Sequence, residues 1–180
     1  MEKVFLIGYM GVGKTTIGKL LSRELDVEFI DLDKYIENRY RTTIEEIFSE
    51  EGEDKFRIIE REMLREVASF QNVLISTGGG TPCFFDNMEV MNKQGITVYV
   101  KATVDQLVSR LLASKNVRPI IHNKSPEELK AFVTEHLAQR ENYYAKAKLT
   151  YQTERLVSQV HVKESVEAIK TMLQIKSTKK

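Results

Sequence analysis

Several residue types that support common protein chemistries are scarce in this chain. It has one cysteine, Cys83, which excludes an internal disulfide and a zinc site built from cysteines. Its three histidines, His122, His136 and His161, are scattered, so we expect no histidine metal cluster and interpret them as structural or exposed. The apolar runs are too short for a transmembrane helix or for the core of a secretory signal. These shortages favour a protein of the reducing cytoplasm without a membrane partner.

The chain also has almost no excess of charge of either sign. The chain has 27 Lys and Arg against 26 Asp and Glu, a formal net charge of +1. It therefore lacks the basic field that favours nucleic acid and the acidic excess that favours disorder. Its 180 residues, of which 42% are hydrophobic, suffice for one domain with a sizeable core. We expect a single domain over residues 1–175, a frayed tail over 176–180, and a monomer.

Five short runs rich in Val, Ile, Leu and Phe predict β-strands. They cover residues 4–7, 27–31, 72–76, 96–100 and 149–152. Helical patterns lie between the runs, and this alternation predicts parallel strands with helices on both faces of the sheet. The runs do not alternate cleanly between apolar and polar residues, as expected for a sheet covered on both sides. The predicted fold class is a three-layer α/β/α domain with a five-stranded parallel sheet.

Helix boundaries are marked in several places. Thr43 with a glutamate three residues later is a capping-box pattern that opens a short helix, and Ser125-Pro126 predicts another helix start. A separate, longer helix is predicted through residues 58–67, and a last one over about 164–175. Residues 114–124 are polar, lack periodicity and contain Arg118. Because such loops often cover a site, we expect a lid over about 114–125.

The first predicted strand runs into a phosphate-binding pattern. Residues 8–15 read Gly-Tyr-Met-Gly-Val-Gly-Lys-Thr, which fits G-x-x-x-x-G-K-[ST], and a helical pattern follows. The glycines let backbone N–H groups point inward, and the helix adds the positive end of its dipole. Lys14 can bridge the β- and γ-phosphates of ATP, and the Thr15 hydroxyl can ligate Mg²⁺. The residues predicted to bind ATP in this loop are Gly11, Val12, Gly13, Lys14, Thr15 and Thr16.

Two further strands end in residues suited to phosphoryl transfer. Ligands of parallel sheets bind beyond the carboxyl ends of the strands, so these ends are expected to share a cleft with the phosphate loop. Asp31 is expected near the metal and Asp33 near a substrate hydroxyl, unless Asp33 only caps the following helix. Three glycines in succession, residues 78–80, can take positive φ and let the backbone approach a ligand closely. A tight turn into Pro82 is the alternative for them.

Three arginines remain ambiguous from the residues alone. Arg57 could bind a carboxylate with its planar fork, or pair with Glu60 as a solvated helix charge. Arg118 could close with the lid on the transferring phosphoryl group, or be an exposed loop charge. Arg140 could bind an anion or pair with a neighbouring glutamate.

Taken together, these motifs resemble the shikimate kinases, which are P-loop kinases related to the nucleoside monophosphate kinases. The resemblance covers nearly the whole chain. The matching segments are residues 8–16, 31–33, 56–60, 77–80, and Arg118-Pro119 followed by residues 140–144. It implies a P-loop NTPase fold of the nucleoside monophosphate kinase type. It also implies ATP-dependent phosphorylation of the 3-hydroxyl of shikimate, a step towards chorismate and the aromatic amino acids.

The resemblance also implies a role for each matching residue. Asp33 would hold the substrate hydroxyls and is the candidate base, and two arginines would grip the substrate carboxylate. The implied catalytic residues are Asp33, Lys14 and Arg118. The implied substrate-binding residues are Asp33, Arg57, Gly78, Gly79, Gly80 and Arg140. The implied magnesium residues are Thr15 and, in the outer shell, Asp31. Because Glu141-Asn142 and the long segment 153–163 depart from the family pattern, no adenine contacts are assigned.

Two other functions are compatible with a phosphate loop. One is a kinase for gluconate or for a nucleoside monophosphate, although paired arginines and a triple glycine suit a small acid better than a second nucleotide. The other is a regulatory module that binds ATP without turnover. The presence of Lys14, Thr15, Asp31 and Asp33 together favours an enzyme. We expect in-line transfer without a covalent intermediate.

Overall fold

The computed structural model of the protein describes residues 3–114, 124–153 and 158–178, with side chains up to residue 174. The predicted lid therefore lies mostly outside the described residues. The strands are β1 (Lys3–Ile7), β2 (Glu28–Asp31), β3 (Val73–Ser76), β4 (Gly95–Lys101) and β5 (Leu149–Gln152). The helices are α1 (Lys14–Glu24), α2 (Leu32–Tyr40), α3 (Ile44–Ser69), α4 (Asn87–Gln94), α5 (Val104–Ala113), α6 (Pro126–Tyr144) and α7 (Gln159–Thr178). A short 3₁₀ turn covers Thr81–Cys83.

The strands form one parallel sheet in the order β2-β3-β1-β4-β5. All five match the predicted runs to within one residue at each end. Alternate residues of β1 enter different cores. Val4 and Leu6 pack with α1, α5, α6 and α7, whereas Phe5 and Ile7 pack mainly with α2, α3 and α4. The predicted three-layer α/β/α class is confirmed.

The helix starts follow the predicted capping patterns, but the bounds of the last helix differ. Thr43 and Ser125 each accept a hydrogen bond from a backbone N–H and form complete capping boxes. The predicted short helix after Thr43 and the predicted longer one through residues 58–67 are the two segments of α3, which are separated by a kink at Gly52. Gly52 has φ 82° and ψ 173°, a conformation that glycine adopts without a Cβ penalty. The last helix begins at Gln159, earlier than predicted, and continues to Thr178.

Strand register brings three chemical motifs to one edge of the sheet. Leu6 of β1 and Asp31 of β2 both pair with Ser76 of β3, so the carboxyl ends of these neighbouring strands are level. The phosphate loop, the two aspartates and the triple glycine therefore emerge side by side. Within the described residues, no helix combines the length and apolar character needed to cross a bilayer.

Candidate active site

The phosphate loop has the backbone conformation that its glycines predict. Gly11 (φ 75°) and Gly13 (φ 99°) are both left-handed, and Gly13 is the N-cap of α1. Because Gly13 offers no side chain to cap the helix, the first N–H groups of α1 remain available to an anion. The Val12 side chain lies in the core, so only its backbone can serve the loop. The Val12 carbonyl accepts a hydrogen bond from Arg110 Nη1 at 3.0 Å.

Lys14 folds back across the loop that precedes it. Its ammonium donates hydrogen bonds to the carbonyl of Gly8 at 2.8 Å and to the carbonyl of Tyr9 at 3.0 Å. The side chain is 8% exposed, so water reaches little of it. These contacts hold one positive charge at the start of α1, beside the helix N-terminus.

The side chains of Thr15 and Asp31 contact each other beside the phosphate loop. The Thr15 hydroxyl donates to Asp31 Oδ2 at 2.8 Å, and Asp31 Oδ1 accepts the backbone N–H of Lys34. Asp31 is therefore the N-cap of α2, and the alternative that Asp33 caps this helix is wrong. Asp33 instead lies in the first turn of α2 and lines the cavity.

A cavity of about 420 Å³ joins these groups at the carboxyl edge of the sheet. It contains most of the predicted site residues: Gly11, Gly13, Lys14, Thr15, Thr16, Asp31, Asp33, Gly78 and Gly79. Arg110 also lines it, and no sequence motif pointed to this residue. Arg110 Nη2 donates to Thr153 Oγ1 at 3.2 Å, so it ties α5 to the residue after β5. Partial burial lowers the pKa of Arg110.

The triple glycine does not take the backbone conformation that the sequence suggested. Positive φ does not occur at any of its three residues. A Cβ at Gly78 would lie 2.8 Å from Asp33 Oδ1, and one at Gly80 would lie 2.7 Å from Arg57 Nη2. A Cβ at Gly79 would lie 3.4 Å from Arg140 Nη1. Each glycine therefore makes room for one predicted substrate residue, and the three side chains converge on this segment.

Arg57 is held rigidly in a pocket of α3. Its guanidinium donates to Glu53 Oε1 through Nε (3.1 Å) and Nη2 (2.9 Å), and to Glu60 Oε2 through Nη1 (2.9 Å). Three aromatic rings lie 4.1 to 5.8 Å from its central carbon, those of Phe48, Phe56 and Phe84. Among the described contacts, three of the five N–H donors are used, which leaves one on each terminal nitrogen. This pair suits a carboxylate.

The Glu60 carboxylate supports this arginine from inside the protein. It is 1% exposed and accepts a second hydrogen bond, from the Thr81 hydroxyl at 2.5 Å. Burial raises the pKa of Glu60, while the charge of Arg57 and the two hydrogen bonds oppose that rise. The Arg57–Glu60 pair that the sequence allowed does exist, but it is buried rather than solvated, so removing either partner would leave a costly charge.

Arg140 approaches the same place from α6. Leu129, Val133, His136, Arg140 and Tyr144 follow one another at spacings of three or four residues, so they share a face of the helix. On this face Leu129, Val133 and Tyr144 lie in the core, whereas Arg140 reaches the glycine segment. The hydroxyl of Tyr144 donates to the Gly79 carbonyl at 2.6 Å, which fixes the glycine segment.

Arg140 is not neutralised by the glutamate beside it in sequence. Glu141 is engaged elsewhere, because it accepts hydrogen bonds from Tyr99 and Lys101 of β4. Within the part of the chain that the structure describes, no carboxylate forms an ion pair with Arg140. Arg140 therefore adds positive charge to the site. Arg118, the remaining predicted arginine, lies outside the described residues.

The donor set beside the phosphate loop fits Mg²⁺. A hydroxyl and a carboxylate are hard oxygen donors, and Mg²⁺ commonly takes one or two protein ligands together with phosphate oxygens and waters. The described residues contain no cluster of three or more His, Cys, Asp or Glu side chains that could hold a metal ion by themselves. A metal here would therefore depend on the phosphates of a nucleotide.

The parallel sheet, the phosphate loop at the end of β1 and the two aspartates at the end of β2 define a P-loop kinase. A family model described as shikimate kinase matches residues 10–171. The shikimate kinase of Parabacteroides distasonis is 51% identical over 173 residues, which span 96% of this chain and 100% of that protein. The chain belongs to the shikimate kinase family.

Solved structures agree with this assignment. The crystal structure of shikimate kinase from Bacteroides thetaiotaomicron matches with a TM-score of 0.93 and 46% identity, over 96% of this chain and 98% of that one. A shikimate kinase from Acinetobacter baumannii in complex with shikimate matches with a TM-score of 0.83 and 30% identity, over 98% and 95% of the two chains.

Proposed function

We propose that this protein transfers the γ-phosphoryl group of ATP to the 3-hydroxyl of shikimate and releases shikimate 3-phosphate and ADP. The observation that carries the proposal is the grouping of Asp33, Arg57 and Arg140 around the triple glycine, next to the phosphate loop. Membership of the shikimate kinase family supports it independently. The product belongs to the route that leads to chorismate and the aromatic amino acids.

The substrate carboxylate is assigned to Arg57 and Arg140. Both guanidinium groups lie against the glycine segment, and Arg57 retains a donor on each terminal nitrogen. A planar fork of this kind binds a carboxylate through two parallel hydrogen bonds. Gly78, Gly79 and Gly80 allow both arginines to come this close, and the carbonyl of Gly79 is fixed by Tyr144.

Asp33 is assigned to the substrate hydroxyl that reacts. It lies against Gly78 and lines the same cavity as the phosphate loop, so a ring acid held by the arginines would present its hydroxyls to this carboxylate. During transfer the hydroxyl proton passes to Asp33, the hydroxyl oxygen bonds to the γ-phosphorus, and the bond to the β-phosphate oxygen breaks. A positioned base of this kind contributes about 10²- to 10⁴-fold to the rate.

The ATP phosphates are assigned to the loop of residues 11–16 and to Lys14, with Arg118 as a second cation. Lys14 neutralises charge that develops on the transferring group, and the backbone N–H groups at the start of α1 bind phosphate oxygens. Thr15 and Asp31 would hold Mg²⁺, which supplies charge neutralisation at the phosphates. Positioning and charge neutralisation then provide most of the acceleration, without a covalent enzyme intermediate.

We further propose that the enzyme acts as a monomer in the cytoplasm, as one domain over residues 1–175 with a lid over about 114–125. Closure of the lid would exclude water and limit wasteful ATP hydrolysis.

A substrate panel tests the proposed function. Release of ADP from Mg·ATP is followed with shikimate, gluconate and a nucleoside monophosphate as alternative acceptors. We expect turnover with shikimate and rates near background with the other two. Turnover only with gluconate or the nucleotide would assign the chain to another kinase activity, and ATP binding without turnover on any acceptor would support a regulatory module.

A further inference from the structure

Tyr9 is a residue of the phosphate loop whose side chain reaches helix α6, which carries Arg140. It occupies the second position of the loop, and its carbonyl accepts the hydrogen bond from Lys14. The side chain is 1% exposed. Its hydroxyl lies 3.0 Å from Nδ1 of His136 on α6, and the two rings meet edge to face. A single residue therefore touches both the loop and the helix that carries Arg140.

The Tyr9 ring also lies beside Arg140 itself. The central carbon of the Arg140 guanidinium is 5.9 Å from the centre of this ring, within the range of a cation–π contact. His136 is one helical turn before Arg140 and on the same face of α6. His136 also packs against the ring of Phe132, with the ring centres 5.0 Å apart. The imidazole is thus in contact with two aromatic rings.

The state of His136 matches a role as hydrogen-bond acceptor. Burial and the nearby charges of Arg140 and Arg57 lower the pKa of His136, while Glu53 opposes them. In the neutral imidazole, Nδ1 can accept the proton of the Tyr9 hydroxyl, with the remaining hydrogen on Nε2.

We propose that Tyr9 and His136 form a positioning pair that sets the place of Arg140 in the acid subsite, by which we mean the site beside Gly79 where the substrate carboxylate is expected. The pair also connects Arg140 to the phosphate loop. This inference rests on the proposed function, because Arg140 is taken as a ligand of the substrate carboxylate. Neither residue contacts the reacting atoms. Their effect is to keep the Arg140 guanidinium over the Tyr9 ring and close to Gly79, where the substrate acid is expected. This guanidinium has no carboxylate partner among the described ion pairs.

Two conservative variants test the pair. Tyr9→Phe removes only the hydroxyl, and His136→Phe removes the acceptor but keeps a flat ring against Phe132. We expect each to raise the KM for shikimate by about threefold to tenfold, the range expected for one neutral hydrogen bond. The KM for ATP should stay within about twofold of wild type, because the lost binding energy concerns only the subsite of the substrate acid. The double variant should lose no more than the larger single loss, since both changes break the same contact.

The matched control is Tyr151→Phe. Tyr151 also donates a half-buried hydrogen bond, to Ser165 at 3.0 Å, but it lies on β5 away from the acid subsite. Its removal should change neither KM. Thermal unfolding of all variants reports general damage to the fold. If one of the two site variants does not fold, the other still decides, because both address the same contact.

The outcomes separate this inference from the proposed function. A wild-type enzyme that does not phosphorylate shikimate contradicts the proposed function. An active wild type with an unchanged KM for shikimate in both variants contradicts the positioning pair alone. A parallel rise of both KM values together with a lower melting temperature would also overturn it, because that pattern indicates a merely structural role.

Discussion

Gly80 and the guanidinium of Arg57 are packed so closely that a Cβ at residue 80 would lie 2.7 Å from Arg57 Nη2 and 2.8 Å from Nη1. The arginine has little room to yield, since Glu53 and Glu60 hold it and aromatic rings surround it. The backbone at residue 80 and the guanidinium therefore fix each other's position. Because these same terminal nitrogens carry the remaining donors, their position matters for substrate binding.

A methyl group at residue 80 should consequently weaken the binding of the substrate acid by Arg57. In Gly80→Ala we expect the KM for shikimate to rise by about tenfold or more, the size of a lost charge-assisted hydrogen bond. The KM for ATP should change little, because the phosphate loop is untouched. Steady-state kinetics with each substrate varied in turn provides the measurement. Equal KM values for shikimate in variant and wild type would show that Arg57 does not depend on this close contact.

Removing the charge of Asp33 should reduce turnover rather than folding. Asp33→Asn keeps the shape of the side chain but cannot accept the hydroxyl proton in the same way, so we expect kcat to fall by about 10²- to 10⁴-fold. The control is Asp105→Asn, which breaks an exposed pair with Lys130 and should have little effect. Full kcat in Asp33→Asn, with an intact fold by circular dichroism, would remove Asp33 from the proposed role.

The hydroxyl of Thr15 should determine how much magnesium the enzyme needs. Thr15→Val keeps the branched shape and removes the oxygen that donates to Asp31. We expect the Mg²⁺ concentration for half-maximal activity to rise by about tenfold or more, as for the loss of a metal-site oxygen. Calorimetry should also show weaker binding of ADP with Mg²⁺ and unchanged binding of ADP without it. The control is Thr134→Val on the exposed side of α6. An unaltered magnesium requirement would place the metal elsewhere.

The partly buried position of His136 predicts a pH effect on stability. Burial and the charges of Arg140 and Arg57 lower its pKa below the ordinary 6.5, although Glu53 acts in the opposite direction. Between these two pKa values the unfolded chain binds more protons than the folded one, so the free energy of unfolding contributed by His136 falls as the pH is lowered through this interval. An NMR titration of the imidazole should show a midpoint below 6.5. A midpoint at or above that value would contradict the structure.

Much of the fold could be read from the sequence because the sheet is buried on both faces. The three central strands β3, β1 and β4 are therefore short runs of mainly β-branched and apolar residues, and such runs locate strands without knowledge of their partners. The division of α3 into a short and a longer helical segment could also be predicted. Gly52, whose φ and ψ are not helical, lies in the polar stretch between the two apolar patterns.

The site was predictable where its chemistry is local and unpredictable where it depends on distant partners. The phosphate loop and Asp31-Leu32-Asp33 carry their function in consecutive residues. For the triple glycine the expectation of positive φ was wrong, and the close packing against Asp33, Arg57 and Arg140 could not be foreseen, because these neighbours come from other parts of the chain. The contact of Tyr9 with His136 spans 127 positions and leaves no local pattern.

The central claim is that a small ring acid is held by its carboxylate beside the nucleotide phosphates. Initial rates of ADP release with shikimate and with shikimate methyl ester, which has the same hydroxyls but no carboxylate charge, test this most directly. The structure leads us to expect turnover of shikimate and a KM for the ester higher by about tenfold or more, since two charge-assisted contacts are lost. Equal KM values for acid and ester, or no turnover of either, would contradict the account.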